Sequence, residues 1–284
     1  MFQKAVLPII FLFVILFSSD SFSSDKEYSS LHEKVMAEKK IRCGYAMWSP
    51  VLFMDLKQGN KITGISYDIM DEIGKRLDLE IDWAEEAGWG NIVEGLATKR
   101  YDMICTGIGM ISTRAKVIDF GEPLFYTAVY LVVREGDNRF DSDFNLINSP
   151  EYKIAVLEGE GSALLAANLF PEANVSAIPQ MVDYSMLLKE IEMGKADATS
   201  IDSSALRSYQ LTNPGKLRET DVNSPLGVYP VSFGLPQGEM VFNRMINVVL
   251  IEMLNDGTVE RILDKYDSKP NSFMRVAKPY SMQN

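Results

Sequence analysis

Asp102-Met-Ile-Cys-Thr-Gly-Ile-Gly-Met-Ile-Ser-Thr-Arg114, running on through Ile118-Asp-Phe-Gly-Glu-Pro-Leu-Phe-Tyr126, is the stretch on which the fold turns. Met103 to Cys105 is apolar and reads as a strand. Thr106, Gly107 and Gly109 follow as a glycine-rich turn, and Ser112 then stands where it can cap a short helix carrying Arg114. Strand, turn and helix N-terminus in succession gather backbone N–H groups and a guanidinium, a combination that favours anions.

The alternation extends both ways. Upstream, Ile41 to Tyr45 reads as a strand, Ile69, Met70, Ile73 and Leu77 mark one helix face, and Leu79 to Trp83 alternates as the next strand. Ile92, Val93 and Leu96 give another helix. Downstream, Ala128 to Arg134, Ile154 to Leu157 and Ala198 to Ile201 read as strands, with helices over Ala163 to Leu169 and Met186 to Met193. Met240 to Asn255 forms a long helix stopped by Gly257, and Thr258 caps another that reaches Tyr266. The pattern is that of an α/β protein, either one continuous doubly wound domain or two mainly parallel sheets in separate lobes.

The N-terminus carries Lys4, an apolar run from Ala5 to Phe17 and a small-residue stretch from Ser18 to Ser24, the layout of a secretory leader. The run covers about 13 residues, short of the roughly 20 that span a bilayer as a helix. Cleavage is expected near Ser23, leaving residues 1–23 as signal peptide and a soluble exported chain. No cysteine stands at the end of the apolar run, which argues against a lipid anchor. Lys4 and Asp20 cancel within the leader, so the net charge of −11 persists afterwards. An acidic exported protein is a poor nucleic-acid binder. The one histidine, His32, precedes the first strand, which argues against a histidine base or a histidine-rich metal site. The 15 methionines are scattered at helical spacing, which fits core filling better than copper handling. Cys43 and Cys105 invite a disulfide in an oxidising compartment. Both sit inside predicted strands, where bridging geometry is hard to reach, and the reading leans to two buried free thiols.

The Asp102–Arg114 motif resembles that of family 3 solute-binding proteins, which capture polar amino acids in the periplasm for ABC importers. Gly64-Ile-Ser-Tyr-Asp68, Lys153-Ile-Ala-Val-Leu-Glu-Gly159, Gly194-Lys-Ala-Asp-Ala198 and Asp256-Gly-Thr258 add to the likeness, which covers roughly residues 40 to 268. The resemblance implies a type II, two-lobed α/β fold with a two-strand hinge. Residues 24–126 and 237–268 would form one lobe and 127–236 the other, followed by a tail, 269–284, that carries no readable signal. A small-molecule ligand and an inner-membrane ABC permease are the implied partners. A monomer without cofactor or metal is expected.

The resemblance also assigns a site. Arg114 would meet a ligand carboxylate with two parallel hydrogen bonds. Thr106, Gly107 and Gly109 would grip the ligand from the turn, although Gly109 and Ile111 stand where the family has hydroxyls. Asp202 would receive the ligand's ammonium group, or else only cap the helix after it. Gly161 and Ser162 would complete the carboxylate site with N–H donors. Glu160 is odd beside an anion, and must either point away or answer extra positive charge on the ligand. Trp48 and Trp89 would wall the ligand side chain, and Tyr45, where some relatives place an acidic residue, argues against a basic ligand. Two other functions compete. A cyclohexadienyl dehydratase on the same fold needs a general acid, for which Glu160 is the cleft candidate. A sensing module would report to a membrane partner instead of feeding an importer.

Overall fold

The computed structural model describes residues 27–220, 225–267 and 272–279, so the leader and its cleavage point near Ser23 lie outside the described residues. Ser30 caps α1 (Leu31–Glu38) by accepting from Glu33 N–H, and the chain enters β1 (Lys40–Tyr45). A hairpin of β2 (Phe53–Asp55) and β3 (Lys61–Thr63) leads to α2 (Ile65–Leu77), where Ile65, Ile69, Met70 and Ile73 are buried at helical spacing. Then come β4 (Glu80–Glu86), α3 (Ile92–Ala97), β5 (Met103–Gly109), α4 (Ser112–Ala115) and β6 (Asp119–Phe120). The long β7 (Phe125–Arg134) carries the chain to β8 (Lys153–Leu157), α5 (Gly161–Leu169), β9 (Asn174–Ile178) and α6 (Tyr184–Glu192). After β10 (Ala198–Asp202), α7 (Ser203–Gln210) and β11 (Leu217–Glu219), β12 (Gly227–Leu235) returns it to α8 (Met240–Asn255) and α9 (Thr258–Tyr266).

The strand order is β4-β1-β5-β12-β7-β10-β8-β9. β1 pairs in parallel with β4 and β5, and β8 in parallel with β9 and β10. Between these parallel sets run β12 and β7, antiparallel to each other and to their outer neighbours. The result is the two-lobed α/β fold, two parallel sheets linked through two long strands. β12 contains Pro230, a residue that breaks strand readings. Its carbonyl accepts from Met110 N–H just past the end of β5, so the donor that proline lacks falls where that strand has stopped.

Four local expectations are corrected. The glycine-rich segment is not a turn, because β5 runs through Gly109. A Cβ at Gly107 would lie 2.8 Å from Val231 Cγ1, so its glycine serves close strand packing. Ser112 does not cap α4; it is the first helical residue, and the cap position is Ile111, which makes no side-chain bond. Thr258 likewise opens α9 rather than capping it, the cap being Gly257 at φ 78°. The cysteines are not free thiols. Cys43 and Cys105 form a disulfide with Cα atoms 5.4 Å apart. β1 and β5 are adjacent and Cys43 is in register with Met103, so Cys105, two residues on, presents its side chain to the same face.

Part of the tail has a defined place. Phe273 packs edge-on against Phe125, with centroids 5.1 Å apart. Met274 exchanges two backbone hydrogen bonds with Tyr126, and Arg275 pairs with Asp264 and Asp267. Arg207 of α7 donates to the Ser272 hydroxyl. The segment thereby links α9, the start of β7 and α7.

Candidate binding cleft

The floor of the cleft follows from strand alternation. Thr127 and Val129 of β7, Tyr229 and Val231 of β12, and Ser200 and Asp202 of β10 recur at spacing two on one face. They line a cavity of about 380 Å³, within the roughly 300–1,000 Å³ of small-molecule sites. Trp48, Trp89 and the Gly109–Arg114 segment wall it from one lobe. Glu160, Gly161, Ser162, Leu165 and Tyr184 wall it from the other. The lobes meet around it: Trp89 N–H donates to the Gln180 carbonyl at 3.4 Å, and the Ser49 and Ser208 hydroxyls are 3.0 Å apart.

Arg114 lines the cavity. Its Nη1 donates to the Gly109 carbonyl at 3.1 Å, which aims the guanidinium, and its buried Nη2 has no partner. Burial pushes its pKa down, opposed by attraction from Glu160. Asp202, 5% exposed, both faces the cavity and caps α7. Its Oδ1 accepts from Ala205 N–H at 3.0 Å and from the Ser204 hydroxyl; its Oδ2 accepts from Trp48 Nε1–H at 3.1 Å across the cleft. Burial raises its pKa, against the pull of these hydrogen bonds.

Trp48 and Trp89 line the cavity, but they do not stand apart as two plates. They meet edge to face at 6.5 Å, and Tyr184 closes the cluster at 6.4 and 6.1 Å. Gly109 and Gly161 line the cavity. Ser162 lines it too, yet donates its N–H to Glu160 at 2.6 Å and accepts from Leu157 N–H at 3.1 Å, so the expected donor is already used. Thr106 and Gly107 are absent from the lining. The Thr106 hydroxyl bonds the Ala46 carbonyl and N–H at 2.9 and 3.0 Å, and Gly107 N–H donates to Ser66 Oγ. These two residues tie β5 to the residue after β1 and to α2 within one lobe, because β5 continues where a turn was expected. Tyr45 is buried edge-on against Trp83 and does not line the cavity, so it has no bearing on ligand charge.

Among the lining residues missed from sequence, Tyr184, Thr127 and Ser200 matter most. Tyr184 opens α6 behind its cap Asp183; burial, with Glu160 beside it, holds its hydroxyl well above the usual pKa. Thr127 and Ser200, 4% and 2% exposed, carry hydroxyls without partners. The available signal was a lone threonine, Thr127, in the largely apolar β7, and Ser200 two positions before Asp202 in β10.

A largely apolar cavity carrying a few charged groups, held between two lobes at a paired-strand hinge, is the site of a solute-clamping protein. Residues 41–269 match the bacterial extracellular solute-binding proteins, family 3, and the chain belongs to that family. A probable amino-acid ABC transporter-binding protein of Haemophilus influenzae is 25% identical over 260 residues, covering 89% of this chain and 95% of that protein. The L-cystine-binding protein TcyA of Bacillus subtilis is 25% identical over 224 residues, covering 77% of each. A solved ancestral amino acid-binding protein, described as a precursor of cyclohexadienyl dehydratase, matches in fold with a TM-score of 0.73 at 22% identity. It covers 84% of this chain and 99% of that one. Among the described residues no helix is long and apolar enough to cross a membrane.

Proposed function

We propose that the protein clamps an amino acid in this cavity and delivers it to the permease of an ABC importer. It acts in the periplasm as a monomer, after removal of residues 1–23. The lobes are residues 24–126 with 237–268, and 127–236. Arg114 holds the ligand carboxylate, Asp202 the ammonium group, and Trp48, Trp89 and Tyr184 the side chain.

The observation that carries this reading is the Arg114 guanidinium, aimed into the cavity with a buried, unpartnered Nη2. A buried donor on a charged group is costly to leave unpaired, and a ligand carboxylate would satisfy it. Asp202 in the same cavity supplies the opposite charge. The test is a thermal-shift screen of the mature protein against the twenty amino acids, small dicarboxylates and prephenate. A ligand that binds only the native state raises the melting temperature. A shift with an amino acid is expected; a shift only with carboxylates lacking an amine removes Asp202 from its role.

The protein carries out no chemistry on its ligand in this reading. The Glu160 carboxylate accepts from Ser162 N–H at 2.6 Å, which favours a fixed acceptor over a proton donor. Prephenate and arogenate incubated with the protein should persist unchanged, and their steady loss would favour the dehydratase.

A further inference from the structure

The charges of the cavity do not balance for a simple zwitterion. Its lining holds one cation, Arg114, and two carboxylates, Glu160 and Asp202. A ligand carboxylate on Arg114 and a ligand ammonium on Asp202 cancel those two, leaving Glu160 in a closed cleft without a counter-charge. Glu160 cannot be dismissed as turned outward. It lines the cavity together with Tyr184 and Arg114, is half-buried, and acts electrostatically on both of them. Capping α5 through Ser162 N–H offsets part of its desolvation, since a helix N-terminus carries about half a positive charge.

We propose that Glu160 sets the ligand's charge class: the cavity takes an amino acid whose side chain ends in a second cationic group, held between Glu160 and the ring cluster of Tyr184, Trp48 and Trp89. This inference rests on the amino-acid reading above and narrows it. Two further observations support it. Aromatic faces attract a cation, and three rings converge here. The unpartnered hydroxyls of Thr127 and Ser200 are acceptors on the floor for a group rich in N–H donors.

The test compares ligands of one shape and different charge. Arginine and citrulline are close to isosteric, and differ in that only arginine bears the side-chain charge; lysine and norleucine form a second pair. Calorimetric titration of the full mature protein is expected to favour the charged member of at least one pair by about tenfold or more. In E160Q, whose amide oxygen can still accept from Ser162 N–H, that preference should fall to near unity, with the melting temperature of the unliganded variant reporting its folding. If the neutral members bind as tightly as the charged ones, or if E160Q keeps the preference, the role of Glu160 is wrong while the amino-acid reading stands. If another neutral amino acid binds and neither charged ligand does, the same conclusion follows. If no amino acid of any charge binds, both readings fall together.

Discussion

In the proposed reading, Arg114 and Asp202 divide the work of recognition at the scale of single residues. Removing the guanidinium by Arg114→Ala leaves the ligand carboxylate buried without its partner, and should cost about 2 kcal/mol or more of affinity. Arg114→Lys should not restore it, since an ammonium lacks the planar pair of donors. Titration calorimetry checks both, and binding by the alanine variant within a factor of about two would remove Arg114 from the site. Asp202 makes a different prediction. Burial raises its pKa in the empty protein, so its contribution to stability is present below the unfolded carboxylate range and fades as pH rises through the raised value. A ligand ammonium favours the ionised form and expels the proton. Affinity should therefore strengthen as pH rises through that raised value and level off above it, with proton release visible as a buffer-dependent heat. A heat independent of buffer would mean that no ammonium reaches Asp202.

Two elements illustrate how closure and lobe stability are built. The turn before α5 places Gly159 at φ 74° directly against the other lobe, where an added Cβ would lie 2.2 Å from Gly90 Cα and 2.5 Å from Gly90 N. Backbone cannot yield there, so Gly159→Ala should hold the lobes apart and weaken binding by tenfold or more, about 1.4 kcal/mol. Gly90→Ala meets chiefly the flexible end of Gln180 and should be milder. Equal losses in the two variants would mean that this contact does not gate closure. The β1–β5 pair is tied by Cys43 and Cys105, 62 residues apart in sequence. Opening the bond by Cys43→Ala with Cys105→Ala should lower unfolding stability by about 2–4 kcal/mol, measurable by denaturant titration.

These elements also mark how far the sequence could be read. Alternation and helical spacing were enough for β1, α2, β8, α6 and α8, whose apolar faces repeat cleanly. They failed at β12, where Pro230 and two glycines occupy a strand supported on both sides. They failed again at Gly107, whose glycine answers a neighbouring strand and not a turn. Arg114, Asp202, Trp48 and Trp89 were legible from a motif. Tyr184, Thr127 and Ser200 were not, because each looks like an ordinary strand or helix residue until the two lobes bring it to one cavity.

Across the whole molecule, closure gathers contacts of several kinds. Trp48 bonds Asp202 inside the cleft, Ser49 meets Ser208 at its edge, and the Ser272 hydroxyl ties the C-terminal segment to α7. In the proposed clamp, a bound ligand would add its own contacts to these. The covalent tie in the first lobe has a mechanical consequence. If the chain is stretched from its two ends, the loop between Cys43 and Cys105 cannot lengthen while the sulfurs are joined. At about 3.3–3.6 Å per extended residue, this withholds about 210 Å of contour from the unravelled chain. A force–extension trace taken before and after adding reductant should differ by that length, all of it contributed by the lobe that supplies Arg114, with the other lobe's unravelling unchanged.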